Sequence, residues 1–266
     1  MKFKIALAQT AACENSEVNI EKAGEMAARA AAEGAGIIVF PEIFLAAFPA
    51  GAGLEDKRRA AAQMDSPYVS RMRAYARENG IWVIFGMYMP AEDSDKNYNL
   101  TVVIDSKGEI IKSYKKTHLY DAFSYRESDY NAAGDSLFEP IDTPFGKIGL
   151  MVCYEVRFPE VARYAALKGA DMIIMPTAWF DGEGKAEQLD ILVRCRAIEN
   201  TVFVAMCDMC GKGRVGESKV VGPLGNVICQ AGSTEELVIA EVDMGILPKV
   251  RETVPSLSNR RPELYI

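Results

Sequence analysis

The strongest constraint on this chain is an order of elements that occurs twice. In the first half, KIALAQTA predicts a buried strand and EVNIEKAGEMAARAAAEGA a helix closing near Gly34 and Gly36. GIIVFPEIF predicts a second strand, bounded by Pro41. SPYVSRMRAYARENG predicts a helix with a Ser66–Pro67 start and a Gly80 stop. IWVIFGMYM predicts a third strand, and YNLTVVIDSKGEIIKSYKK a hairpin around Ser106-Lys107-Gly108. A polar loop, THLYDAFSYRESDYNAAGD, then precedes the same order again. GKIGLMVC, DMIIMPTAW and VFVAMCDM are strands; FPEVARYAALKGA and KAEQLDILVRCRAIENT are helices; ESKVVGPLGNVICQA is a hairpin around Pro223-Leu224-Gly225. The residues of the two halves differ, while the order of elements does not. Nearly continuous Ile/Val strands between helices need cover on both faces. Two such halves with no Pro/Gly/Ser linker predict two sheets packed face to face. The expected fold is therefore α/β, a four-layer α-β-β-α sandwich forming a single domain over residues 1–266.

Composition removes several function classes. Hydrophobic residues make up 49% of 266, enough for a core of that size. A net charge of −7, with no long Lys/Arg cluster, speaks against a nucleic-acid partner. No stretch reaches the ~18 apolar residues of a membrane span, and MKFKIALAQTAACENSE lacks a secretory pattern. A cytoplasmic protein without a membrane partner is expected. The six cysteines, at 13, 153, 195, 207, 210 and 229, are too irregularly spaced for a disulfide scaffold. Cys207 and Cys210 form a CxxC with no second pair and no nearby histidine, so reduced residues at a strand end are expected rather than zinc. A dithiol redox role is the competing reading. The single histidine, His118, excludes a metal site with several His ligands. No metal and no cofactor is expected, and the base of any hydrolase must be sought elsewhere.

Three places carry chemistry. In LMVCYEVRFPE an apolar run stops at Cys153, and Pro159 opens a helix. A strand that ends abruptly before a helix projects its last side chain at the sheet edge, as nucleophile elbows do. The helix N-terminus would favour a thiolate and later an oxyanion. Against this stands the plain reading of cysteine as a small buried apolar residue. In VFPEIF, Glu42 ends the apolar run Ile37 to Phe40. By itself it is an ordinary solvated or ion-paired acid. If its strand runs parallel to the one before Cys153, both side chains reach the edge where open α/β folds place ligands. In SYKKTHLYD, Lys115 and Lys116 mark the passage from hairpin to loop. One of them turned inward would set an ammonium beside the acid and the thiol; otherwise both are surface.

FPEIF, YKKTHL and CYEVRFPE, in that order, resemble the three signatures of the nitrilase superfamily, the carbon–nitrogen hydrolases, and most closely its amidase-like branch. YRESDYNAAGD, DTPFGKIGLMVC, RCRAIENTVFVA and VGPLGNVI extend the resemblance over nearly the whole chain. The resemblance implies that Glu42 is the general base, Cys153 the nucleophile and Lys116, rather than Lys115, the cation. It matches Glu127 to a second glutamate that positions substrate. It implies hydrolysis of a small linear carboxamide through a thioester, with release of ammonia. Lys116 and the backbone N–H of Tyr154 would hold the oxyanion. An N-carbamoyl amine or amino acid, or a nitrile, is the alternative substrate within the class; a catalytically silent scaffold is the alternative outside it. The implied partners are a small amide and further copies of the chain, with the tail after Pro255 as a contact. Arg157 would bind a substrate carboxylate or pair with a buried acid under the elbow. Trp179 would wall the pocket or simply pack, and His118 would support. Glu155 departs from the Asp that many members carry.

Overall fold

The alternation of side chains along each strand sorts the core into layers. The computed structural model describes residues 1–48 and 51–265. In the strand Lys2–Gln9, Ile5 and Leu7 face one core while Ala6 and Ala8 face another. Ala35–Val39 and Trp82–Pro90 repeat this: Ile37, Val39, Trp82 and Ile84 pack toward the second sheet. Ile38, Val83 and Phe85 pack under the helices Ser16–Ala32 and Pro67–Asn79. A period of two in a strand covered on both faces gives this arrangement directly. The second sheet is covered on its far side by Pro159–Leu167 and Lys185–Asn200, whose Val161, Ala165, Leu189 and Val193 join the core. The layers are thus α-β-β-α, as expected.

Each sheet has a parallel centre. Lys2–Gln9, Ala35–Val39 and Trp82–Pro90 run parallel, and the hairpin strands Asn97–Ile104 and Ile110–Lys115 continue antiparallel. In the second sheet Gly146–Leu150, Met172–Thr177 and Phe203–Asp208 run parallel, followed antiparallel by Lys219–Val221 and Val227–Gln230. Helix ends follow local chemistry. Ser66 Oγ accepts from the Val69 N–H, Pro67 sits in the first turn, and Gly80 closes the helix at φ 61°.

Three features differ from the sequence reading. Glu236–Asp243 is a strand that crosses from the second half and pairs antiparallel with Lys2–Gln9 along its full length. Its buried Val238, Ala240 and Val242 alternate with more exposed residues, the pattern of an edge strand. Helices Leu54–Arg59 and Leu247–Thr253 were also not anticipated. Finally, the two strands leading to Glu42 and Cys153 stop early, at Val39 and Leu150, so both residues sit on turns beyond the sheet. No helix among the described residues is long and apolar enough to cross a membrane.

One glycine fixes the distance between strand and turn. Gly86, inside Trp82–Pro90, accepts at its carbonyl from the Leu45 N–H at 3.1 Å. A Cβ there would lie 2.4 Å from the Ile43 nitrogen and 3.0 Å from Glu42 Cα. Gly86→Ala is therefore expected to destabilise the fold by about 1–3 kcal/mol through overpacking and to displace Glu42. Urea unfolding measures the first effect; an unchanged midpoint would show that the turn yields without cost.

Candidate active site

The turns beyond the parallel strands carry the polar residues inward. Glu42 lies on the turn after Ala35–Val39, and the next residue, Ile43, has φ 49°. Cys153 has φ 48° and opens a one-turn 3₁₀ helix, Cys153–Arg157, ahead of the α-helix at Pro159. Left-handed backbone at a non-glycine residue costs of order 1–3 kcal/mol and persists only where surroundings enforce it. Here the surroundings are bonded on both sides of the elbow. Glu155, fully buried, accepts at Oε2 from the Val152 N–H at 2.7 Å. Its Oε1 accepts from Tyr114 Oη at 2.7 Å, the Thr117 N–H at 2.8 Å and Thr117 Oγ1 at 2.7 Å. On the other side Arg196 Nε donates to the Val156 carbonyl at 2.8 Å. Tyr154, second in its turn, has an N–H with no acceptor inside that turn.

Lys116 follows the strand Ile110–Lys115 and is buried; Lys115, on the opposite side, stands half-buried over the Tyr98 ring at 3.9 Å. Strand alternation thus settles which lysine turns inward. Lys116 Nζ lies 2.8 Å from Glu42 Oε1 and 2.8 Å from Glu127 Oε2. Asn99 Nδ2 bridges the same two acids, at 2.8 Å to Glu42 Oε1 and 3.1 Å to Glu127 Oε1. Glu127 also accepts from Asn131 Nδ2 at 2.9 Å and the Tyr120 N–H at 2.7 Å. The second oxygen of Glu42 accepts from the Ala178 N–H at 3.1 Å, which ties the acid to the other sheet.

These groups line one cavity together with Cys153 and Trp179. Trp179 is held by its N–H on Asp208 Oδ1 at 2.8 Å and its indole Nε1 on the Lys185 carbonyl at 3.1 Å. The side chains of Tyr154 and Arg157 stand outside this lining. Tyr154 packs edge-on against Tyr120 at 5.0 Å. Arg157 donates to Gln188 Oε1 at 2.8 Å and lies over the Trp179 ring. It does not pair with the buried acid of the elbow, because Tyr114, Thr117 and Val152 hold Glu155 instead. His118 stacks on Phe158 at 4.1 Å, with Nδ1 2.9 Å from Thr117 Oγ1. Cys207 Sγ donates to the Val39 carbonyl at 3.1 Å, and both CxxC cysteines are free and buried.

The electrostatics follow from burial and pairing. Burial pushes the Glu127 carboxyl up, but the Lys116 charge and the hydrogen bonds it accepts outweigh this and leave it below the usual range. Burial pulls Lys116 down, and Glu127 and Glu42 more than reverse it, holding the ammonium charged. Cys153 departs from expectation. Burial and the nearby Glu42 charge raise its thiol well above the ordinary value, against the pull of Lys116 and the Ala178 N–H. The thiol is therefore protonated at rest. A helix end separated from it by a single 3₁₀ turn does not overcome desolvation.

Several residues at the site went unread in the sequence. Asn99 and Asn131 gave a faint signal as amides within or beside β-rich runs, NYNLTVV and YNAAGD. Lys57 lies buried with Nζ 3.1 Å from the centre of the Tyr130 ring, and burial takes it to about 8 against the pull of Glu127. Lys185 is also buried in the cavity wall.

Glu155 generates a pH prediction. Burial raises its carboxyl, but the hydrogen bonds from His118, Tyr114 and Thr117 leave it lowered overall. A lowered carboxyl gives stability that is present above the unfolded value of about 4.3 and is lost as pH falls through the folded one. Glu155→Gln should thus be less stable than wild type at neutral pH, with the gap closing in acid. Urea unfolding of both proteins across the acid range reads this; a gap independent of pH would show that the charge of Glu155 contributes nothing.

With the geometry in place, comparisons with known proteins give a consistent result. A family model described as carbon-nitrogen hydrolase matches residues 4–252. Deaminated glutathione amidase of Mus musculus is 33% identical over 277 residues, 98% of this chain and 84% of that protein. Omega-amidase NIT2 of Xenopus tropicalis is 32% identical over 274 residues, 99% of this chain and 97% of that protein. Among solved structures, the C. elegans NitFhit protein superposes with a TM-score of 0.91 at 30% identity; all of this chain is covered, and it spans 66% of that one. An amidase from Nesterenkonia sp. AN1 superposes at 0.81 with 28% identity, covering 99% of this chain and 98% of that one. That structure is a Glu-to-Gln mutant showing the Michael addition of acrylamide at the active-site cysteine.

Proposed function

The chain belongs to the carbon–nitrogen hydrolase family, and from that premise we propose that its cavity hydrolyses the amide bond of a small carboxamide, releasing ammonia through a thioester on Cys153. The observation that carries this reading is one buried ammonium, Lys116, at 2.8 Å from both Glu42 and Glu127 in the cavity that holds Cys153. The amidase relatives support the reaction class.

The residues divide the work. Glu42 takes the Cys153 proton as sulfur attacks the carbonyl carbon. A lysine ammonium has three N–H donors, and Lys116 uses two on its carboxylates; the third and the Tyr154 N–H receive the oxyanion. The C–N bond then breaks, Glu42 passes its proton to the leaving nitrogen, and ammonia departs. The thioester carbon is next attacked by water, whose proton goes to Glu42. The C–S bond breaks, the carboxylic acid leaves, and sulfur regains its proton. Glu127 holds Lys116 in place and keeps it charged throughout, while Trp179 walls the acyl group. A raised thiol fits this cycle, since Glu42 is the acceptor when substrate arrives.

A single domain, a cytoplasmic location and self-association belong to the same proposal. Exposed Leu264 and Tyr265 in the C-terminal segment supply an apolar contact for a second copy.

The test is ammonia release from a panel of primary amides, N-carbamoyl compounds and nitriles. Cys153→Ala should lower the rate at least about thousandfold while the unfolding transition persists. Intact-mass analysis during turnover should show the acyl group on wild type and not on the variant. Undiminished release by Cys153→Ala would refute the mechanism.

A further inference from the structure

Lys116 stands between two carboxylates, each 2.8 Å from its Nζ. A second ammonium in the same cavity has no carboxylate partner among the described residues. Lys185, at the first position of the helix Lys185–Asn200, is 6% exposed. Its Nζ lies 4.1 Å from the ring centre of Phe123, 4.8 Å from Trp179 and 5.4 Å from Tyr120. Its side-chain hydrogen bond is to the Tyr120 hydroxyl, at 3.3 Å. Among the described residues, no carboxylate forms an ion pair with it.

A second cation stands over the same rings. The Arg157 guanidinium lies over two of the same rings, 5.0 Å from Trp179 and 5.8 Å from Phe123. Arg157 is bonded to a neutral amide, Gln188, and not to an acid. Like charges facing one aromatic pair repel, and ring faces offset only part of the cost of burying them. Burial and Arg157 lower the Lys185 ammonium, while the Cys153 sulfur pulls the other way. A buried cation without a carboxylate, beside the reacting sulfur, is a receptor for an anion supplied from outside.

We propose that Lys185 binds a carboxylate on the acyl chain of the substrate, so that the protein prefers anionic amides to neutral ones. The inference rests on the amide-hydrolase reading. The anion lies on the acyl side because the other product is ammonia. One ammonium and one phenol hydroxyl match the two oxygens of a carboxylate, whereas a phosphate calls for more donors or a nest of backbone N–H groups. Lys185 is thus a specificity-determining residue, separate from the groups that perform the bond exchange.

The experiment compares kcat/KM for glutaramate, neutral glutaramide and a cationic amide of equal length. Wild type should favour glutaramate. In Lys185→Met, an apolar replacement of similar length, the glutaramate-to-glutaramide ratio should fall about tenfold to hundredfold, the worth of a charge-assisted hydrogen bond. Lys185→Arg should retain most of the ratio. Glutarate, which has no scissile bond, should compete in wild type and lose its hold in Lys185→Met. An unchanged ratio in Lys185→Met, or a wild type that favours the neutral or cationic amide, would overturn the proposal. If no amide is turned over at all, the hydrolase reading fails; calorimetry of glutarate on wild type and Lys185→Met then decides the carboxylate subsite by itself.

Discussion

One ammonium between two carboxylates organises this molecule. Lys116, Glu42 and Glu127 are all buried, and removing three charges from water is costly unless each finds partners. The partners are present on every side. Asn99 bridges the two acids, Asn131 and the Tyr120 N–H complete Glu127, and the Ala178 N–H completes Glu42. These donors come from both sheets and from the loop between the halves. The charge cluster therefore reports that the whole sandwich is assembled, because each of its donors arrives on a different element.

The layers explain how residues far apart in sequence converge. Glu42 and Cys153 do not share one sheet edge as the sequence suggested. Glu42 leaves the first sheet and Cys153 the second, each on a turn with left-handed backbone at or beside the residue, and the face-to-face sheets bring the two turns to one cavity. The strain is held by contacts outside the site. Gly86 lets the Glu42 turn lie directly on its neighbouring strand, and Arg196 and Glu155 pin the elbow. Glu155 has a second consequence. Its Oε1 gathers Tyr114 and Thr117, the neighbours of Lys116, so one carboxylate fixes the turn at Cys153 against the segment of Lys116. An acid one methylene longer than Asp suits a side chain that must span two segments.

Much of this was legible in the residues because the governing patterns are local. Period-two strands, a Ser-Pro helix start and a Gly stop lead directly to the layers, and an abrupt end to an apolar run marks both Glu42 and Cys153. The pair Lys115–Lys116 was not decidable from its composition; strand alternation decides it once the hairpin is in place. The strand Glu236–Asp243 escaped because its pairing partner, Lys2–Gln9, lies at the other end of the chain. Lys185 escaped for a different reason. A lysine in GEGKAEQ, beside glycines and glutamates, has the composition of a solvated helix start, and only the fold places three aromatic rings around it.

The thiol shows where local inference reverses. A cysteine ahead of a helix suggests a thiolate, yet desolvation and Glu42 together hold the proton on sulfur. Under the proposed mechanism both facts belong together, because a base that accepts the proton must itself be charged and close. A carboxylate near enough to remove the proton also raises the cost of ionising the sulfur before a substrate is present. In the proposed cycle a carbonyl carbon in the cavity would let negative charge pass from sulfur to an oxygen beside Lys116, and the repulsion by Glu42 would end as that acid is protonated. On that reading nucleophilicity is conditional on substrate. In that cycle the charge would move only when a carbonyl is there to receive it.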